Sequence, residues 1–297
     1  MVDSKMKTAC LIYATKSFHE RLAYCAFRSF KKWHPTIPLI GVKSEHINLD
    51  VEIVESSQEM SMPAGIRKYA IGHRMMKELN LDKLIILGSD TITCSRLDEF
   101  LDDSEHDILI TLDYPYILVT PSFNGSHFNG PHVNADVVCF NNIDALELVV
   151  KRAPAHGHYF EQGGLNEVCY AVQPKFSSKV VDMGGESNTY EDSDVVYNAR
   201  AKGNCLAATG TRPFFQYTYK FEVKDSKLFI PENSQAVPAK EKQLRVFHYC
   251  DGLRNLNIPT QINLMNDWIT KGFNEETKKF FKEECDCGDF FGGDFTL

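Results

Sequence analysis

Long apolar runs are missing from this chain. Nothing in it approaches the roughly 20 consecutive apolar residues of a membrane-crossing helix. The N-terminal MVDSKMKTACLIYA turns apolar for only a few residues before Lys16, too short for a signal h-region. Positive charge is also scarce: 32 basic against 40 acidic side chains give a formal net charge of -8. No nucleic-acid partner and no anionic lipid surface is expected from that balance, and any phosphate-bearing ligand has to be held locally. The nine cysteines are scattered without a paired Cys-x-x-Cys spacing, which predicts reduced thiols and, with no leader in view, a cytoplasmic location. Cys285 and Cys287 are too short a set for a zinc site. Absent too are the Gly-x-x-x-x-Gly-Lys-Ser/Thr phosphate loop, the nucleophile elbow and the His-Glu-x-x-His helix, so nucleoside triphosphatases, α/β-hydrolases and zincins lose their main support.

What is present is enough apolar residue, 43% of 297, to bury a sizeable core, and one elaborated domain over 1–297 is the simpler reading. TACLIYAT (8–15) reads as a strand, followed by a helix from about His19 to Trp33; PLIGVK (38–43) and VEIVE (51–55) are further strands. GIRKYAIGHRMMKELNL (65–81) carries apolar residues at helical spacing. KLIILGSDT (83–91) is a continuous apolar run ending in Gly88, Ser89 and Asp90, the pattern of a buried central strand that opens into a loop. SRLDEFLD (95–102) reads as a short helix capped by Ser95; HDILITLDY (106–114), DVVCFN (136–141) and LRVFHY (244–249) read as strands. Strands alternating with helices predict an α/β fold with a central, mostly parallel sheet flanked by helices, and open sheets of that kind bind ligands at the carboxyl ends of their strands. Irregular sequence fills Tyr114 to Asn134 and Gly184 to Arg212. Helices are expected near 260–271 and 275–284, and the acidic, Gly-rich tail over 285–297 is expected to be a flexible end unless it docks.

Four segments in a fixed order carry the chemistry. LIILGSDT places Asp90 just past the buried strand; HVNADVVCFNN (132–142) opens another strand with Asn134 and Ala135; EQGGLNEV (161–168) holds Glu161, Gln162, Leu165 and Asn166; HYCDGLR (248–254) holds His248 and Arg254. Singly each has an ordinary reading: a turn former, a strand cap, a helix-start residue, a packed histidine. As an ordered set they resemble the GT-A glycosyltransferases, in particular glycosyltransferase family eight and glycogenin, over roughly residues 8–254. Besides Glu161 in an aspartate position and Asp251 where glycine is frequent, the chain departs from that pattern in two further places. Gly88 stands where the family has the first aspartate of Asp-x-Asp, and Asp136 stands where it usually has glycine. A weaker or more water-rich metal site is expected from Gly88.

The resemblance implies a single GT-A, Rossmann-like domain that transfers a sugar from a nucleoside-diphosphate sugar, uridine first and guanosine second, to a glycan or glycoprotein acceptor, with retention of configuration. Mn²⁺ or Mg²⁺ held by Asp90 and His248 would neutralise the departing diphosphate. Donor binding would fall to Ala14, Thr15, Arg67, Lys68, Ser89, Asp90, Asp113, Asn134, Ala135 and Arg254. Gln162 and Glu161 would stabilise an oxocarbenium-like transition state. The alternatives are a sugar-nucleotide nucleotidyltransferase, against which ATKSFHER after Tyr13 lacks the early Gly-rich basic loop, and a nucleotide- or carbohydrate-binding protein that has lost turnover.

Overall fold

The computed structural model describes residues 7–14, 17–42, 48–112, 122–123, 126–127, 133–170, 175–181, 187–188, 221–230, 242–248 and 274–288. In chain order these form β1 (Thr8–Tyr13), α1 (Ser17–Trp33), β2 (Leu39–Val42), β3 (Val51–Ile53), α2 (Ser57–Met60), α3 (Ala64–Glu78), β4 (Lys83–Gly88), β5 (Thr91–Thr93) and α4 (Asp98–Leu101). They continue through β6 (Ile108–Leu112), β7 (Ser122–Phe123), β8 (Ser126–His127), β9 (Val133–Phe140) and α5 (Ile143–Arg152). A 3₁₀ turn (Ala153–Tyr159) leads into α6 (Phe160–Tyr170), β10 (Ser178–Val181) and β11 (Ser187–Asn188). The last described elements are β12 (Glu222–Lys224), β13 (Lys227–Ile230), β14 (Lys242–Gln243), β15 (Val246–His248) and α7 (Glu275–Glu283).

Eight strands make one sheet in the order β11-β10-β6-β9-β4-β1-β2-β3, parallel except where β9 and β11 run against their neighbours. This is the mostly parallel α/β architecture that the sequence pattern predicts. Both faces are covered, which is why β1 and β4 read as unbroken apolar runs rather than alternating ones. Cys10, Ile12, Ile85 and Leu87 point to the face covered by α1 and by Phe280 and Phe281 of α7; Ala9, Leu11, Leu84 and Ile86 point to the face covered by α3, α5 and α6. Gly72 lets α3 close onto β4, since a Cβ there would come within 3.0 Å of Leu84. α3 ends at Glu78, three residues short of the sequence reading, because Asn80 takes the left-handed φ of 48° that stops a helix.

Two expectations change. Ser95 does not cap α4: Leu97 holds the N-cap position without a side-chain bond, and Ser95 Oγ instead accepts from Arg245 at 3.1 Å. The start of the C-terminal tail docks. Cys285 and Cys287 are fully buried in the core, and Asp286 forms an ion pair of 2.7 Å with Arg28 of α1. The expected helix near 260–271 lies outside the described residues. No helix among the described residues is long and apolar enough to cross a membrane.

Candidate metal and donor site

The strand order reverses direction between β1 and β4, since the chain runs outward through β2 and β3 on one side of β1 and returns to β4 on the other. At such a switch point the connections part and leave a crevice beyond the carboxyl ends of the two strands. Ala14 lies at the end of β1, and Gly88, Ser89 and Asp90 lie at the end of β4. Thr91 Oγ1 donates to the Gly88 carbonyl at 2.8 Å, which tightens the turn between β4 and β5 and fixes the backbone that carries Asp90.

β15 pairs antiparallel with β5, His248 opposite Thr91. This two-stranded ladder delivers a fully buried imidazole to the aspartate beside Thr91: His248 Nε2 lies 3.2 Å from Asp90 Oδ1. Two residues read from the sequence as metal ligands, 158 positions apart in numbering, are thus brought together by strand pairing.

A third group, which the sequence reading passed over as a departure from the family pattern, completes the cluster. Asp136 Oδ2 lies 3.9 Å from His248 Nε2, and one ligand atom from each of Asp90, Asp136 and His248 falls within 4.8 Å of the others. A β-bulge aims Asp136. Along β9, Val137 and Cys139 face one side of the sheet and Val138 and Phe140 the other, but Val133 and Ala135 break that parity by facing the same side as Val138. The register between β6 and β9 slips at Ile110/Thr111, where Ile110 pairs with Val138 and Thr111 with Asn134, so Ala135, Asp136 and Val137 have no partner on β6 and Asp136 is turned out of the regular ladder. Thr111 Oγ1 bonds the Val137 carbonyl at 2.9 Å, and Asn134 Oδ1 accepts from the Asp136 amide at 2.7 Å, pinning the bulge from both sides.

Lys68, expected as a phosphate or base contact, is buried and bonds the Asp136 carboxylate, with a second bond to the Ala135 carbonyl at 3.1 Å. Tyr69 OH donates to the same carbonyl at 2.9 Å; burial, with Asp136 and Glu161 adding to it, pushes its hydroxyl well above the ordinary tyrosine value. Ala135 itself is fully buried, so its methyl belongs to the core and its carbonyl does the bonding. Arg67 is taken up locally, by Glu55 at 3.2 Å and by the carbonyls of Met60 and Met62 at 2.9 Å each. Glu55 also accepts from Tyr13 OH at the end of β1.

On α6, Asn166 clamps the start of β9 by accepting from the Val133 amide at 3.2 Å while donating to the Gln162 carbonyl at 2.7 Å. The Glu161 carboxylate lies against Gly65 in the first turn of α3, where any side chain would overlap it. Thr15, Asp113 and Arg254 lie outside the described residues.

Carboxylate oxygens and a neutral imidazole nitrogen are the donors that Mn²⁺ and Mg²⁺ accept. The ligand atoms lie within 4.8 Å of one another, close enough for one cation to reach all three. The crowding around Gly88 fits the same cluster: a Cβ there would sit 2.7 Å from Asp90 Oδ1 and 2.9 Å from Asp136 Cβ. The residues present fit a divalent cation.

No family model and no curated protein matches the chain by sequence. Among solved structures it is similar to the galactosyltransferase LgtC in complex with donor and acceptor sugar analogs, at 15% identity over 92% of this chain and 99% of that one, with a TM-score of 0.49. It is also similar to a glycosyltransferase involved in the glycosylation of the major capsid of PBCV-1, at 16% identity over 59% of this chain and 80% of that one, with a TM-score of 0.39.

Proposed function

We propose that the chain is a metal-assisted glycosyltransferase that moves a sugar from a nucleoside-diphosphate sugar to a hydroxyl of a glycan or glycoprotein acceptor, with retention of configuration. UDP is the first choice of nucleotide and GDP the second. The observation that carries this reading is the meeting of Asp90, from the turn between β4 and β5, with Asp136 of β9 and His248 of β15, at the crevice beyond the carboxyl end of β4. Mn²⁺ or Mg²⁺ bound there would supply positive charge against the departing diphosphate. The chain's own residues do the rest. Ala14 and Thr15 hold the nucleobase at the end of β1, and Arg254 takes the diphosphate. Ser89, Asp113 and Asn134 contact the donor, Asn134 also setting the bulge that aims Asp136. Glu161 and Gln162 place negative charge and a carbonyl dipole beside the sugar as it becomes oxocarbenium-like. Lys68 holds the Asp136 carboxylate, and Arg67 braces the loop around Met60.

Calorimetric titration with UDP and then GDP, each with and without Mn²⁺, tests the reading. One nucleotide should bind in a Mn²⁺-dependent way, and Asp90→Ala, which removes a ligand without touching the core, should weaken that binding by about tenfold or more. A folded protein that binds neither nucleotide would end the proposal.

A further inference from the structure

Gly88 and Asp136 are neighbours across a ladder. β4 and β9 pair in antiparallel register up to Leu87 opposite Val137, and the next step brings Gly88 opposite Asp136. Opposed residues on one face of an antiparallel pair hold their Cβ atoms only about 5 Å apart, so side chains at the two positions open onto one point. Here the approach is closer still. A Cβ added to Gly88 would lie 2.9 Å from Asp136 Cβ, 3.1 Å from its Cγ and 2.7 Å from Asp90 Oδ1. The space beside Asp90 and His248 therefore admits one side chain from this pair of positions, and Asp136 has it.

The surroundings of Asp136 are built for that occupancy. The bulge in β9 turns it out of the ladder, the Asn134 side chain fixes its amide, and buried Lys68 grips Oδ1 while Oδ2 lies toward His248. On the reading that the site holds a divalent cation, we infer that Asp136 supplies its second carboxylate from β9, in the space that Gly88 leaves on β4. Positions 88 and 136 are thus interchangeable as the source of that carboxylate, and mutually exclusive. The glycine is a requirement of the aspartate opposite, and the site keeps two carboxylates and one imidazole.

The test is Mn²⁺ binding to the full chain, read from the loss of the free-ion electron paramagnetic resonance signal, beside a thermal melt of each variant. Asp136→Asn keeps the volume and an acceptor for Lys68, so it should fold and bind Mn²⁺ about tenfold or more weakly. Gly88→Asp alone forces two carboxylates into one space and should lower both the melting temperature and Mn²⁺ affinity. The double substitution Gly88→Asp with Asp136→Gly removes the Asp136 obstruction and should bring Mn²⁺ affinity back to within about threefold of the unmodified chain. Wild-type affinity in Asp136→Asn overturns the inference, as does a folded double variant that binds no better than Asp136→Asn. If the double variant does not fold, Asp136→Asn decides alone. Loss in Asp90→Ala with none in Asp136→Asn would leave the metal reading standing and sink only the exchange. An unmodified chain that takes up no Mn²⁺, with or without UDP, would sink the metal reading itself.

Discussion

Strand β4 begins at one buried lysine and ends near another, and the two are held in different ways. Lys83, fully buried at the start of the strand, gives its three ammonium protons to the carbonyls of Phe100, Leu101 (3.0 Å) and Asp103 (2.7 Å), where α4 ends. Those carbonyls are the orphans a helix end leaves behind, so donor and acceptors satisfy one another and nothing outside is needed. Burial lowers the pKa of Lys83, and nearby Cys139, Asp103 and Asp102 pull it back. At the other end, Lys68 bonds one carbonyl and one carboxylate, and that carboxylate belongs to the cluster with Asp90 and His248. A buried cation held by carbonyls is a closed piece of structure. One held by a shared carboxylate is coupled to whatever else that carboxylate binds.

The largest expected effect separates the two directly. Lys83→Met removes three bonds and takes the ammonium from the Phe100 and Leu101 carbonyls, while the Asp103 carbonyl keeps Asn141 Nδ2 at 3.1 Å, so urea unfolding should show a loss of about 4 kcal/mol. The protein that remains folded should bind Mn²⁺ and nucleotide as before. Lys68→Met is milder in stability and stronger in function. Asp136 keeps partial contact with water, at 19% side-chain exposure, so the apo protein should lose about 2 kcal/mol. Without the ammonium, the Asp136 carboxylate gains more from a bound cation, and Mn²⁺ should raise the melting temperature of Lys68→Met more than that of the unmodified chain. Equal Mn²⁺ shifts in the two lysine variants would break the comparison.

The same contrast shows what the sequence made legible. KLIILG reads as a buried strand because both of its faces are covered, and Asp90 and His248 stand out through the ordered resemblance. Asp136 was hidden because Gly88 and Asp136 appear along the chain as two unrelated departures, 48 positions apart in numbering. Only strand register makes them one feature, and only the bulge turns the second into the space of the first. A missing acid paired with an unexpected one was the available signal. Lys68 read as a free cation for the opposite reason: a helical pattern marks a residue's face, and it carries no information about a carboxylate on a distant strand. The docking of Cys285 and Cys287 was equally illegible, since an acidic, Gly-rich tail gives no periodicity, and its anchor, the Arg28–Asp286 pair, is again a contact between chain ends.

The smallest expected effect is one of pH, and it belongs to the Lys83 end. His34 holds the front of α4 as Lys83 holds its back: His34 Nε2 accepts from the Leu97 amide at 3.1 Å, which requires the imidazole to be neutral. Burial, helped by the positive charge of Arg96 and opposed by Asp98, lowers its pKa from 6.5 to about 4. Between those values the unfolded chain takes up a proton that the folded chain refuses, so protonation favours unfolding as the pH falls. The contribution is constant above pH 6.5, declines from there toward pH 4 and is flat below. At pH 5 it should cost up to about 2 kcal/mol, so urea unfolding at pH 5 and pH 7.5 should show a drop that His34→Gln reduces. A pH slope in stability that survives His34→Gln unchanged would move the titrating group away from α4 and deny that this end of the sheet is the closed one.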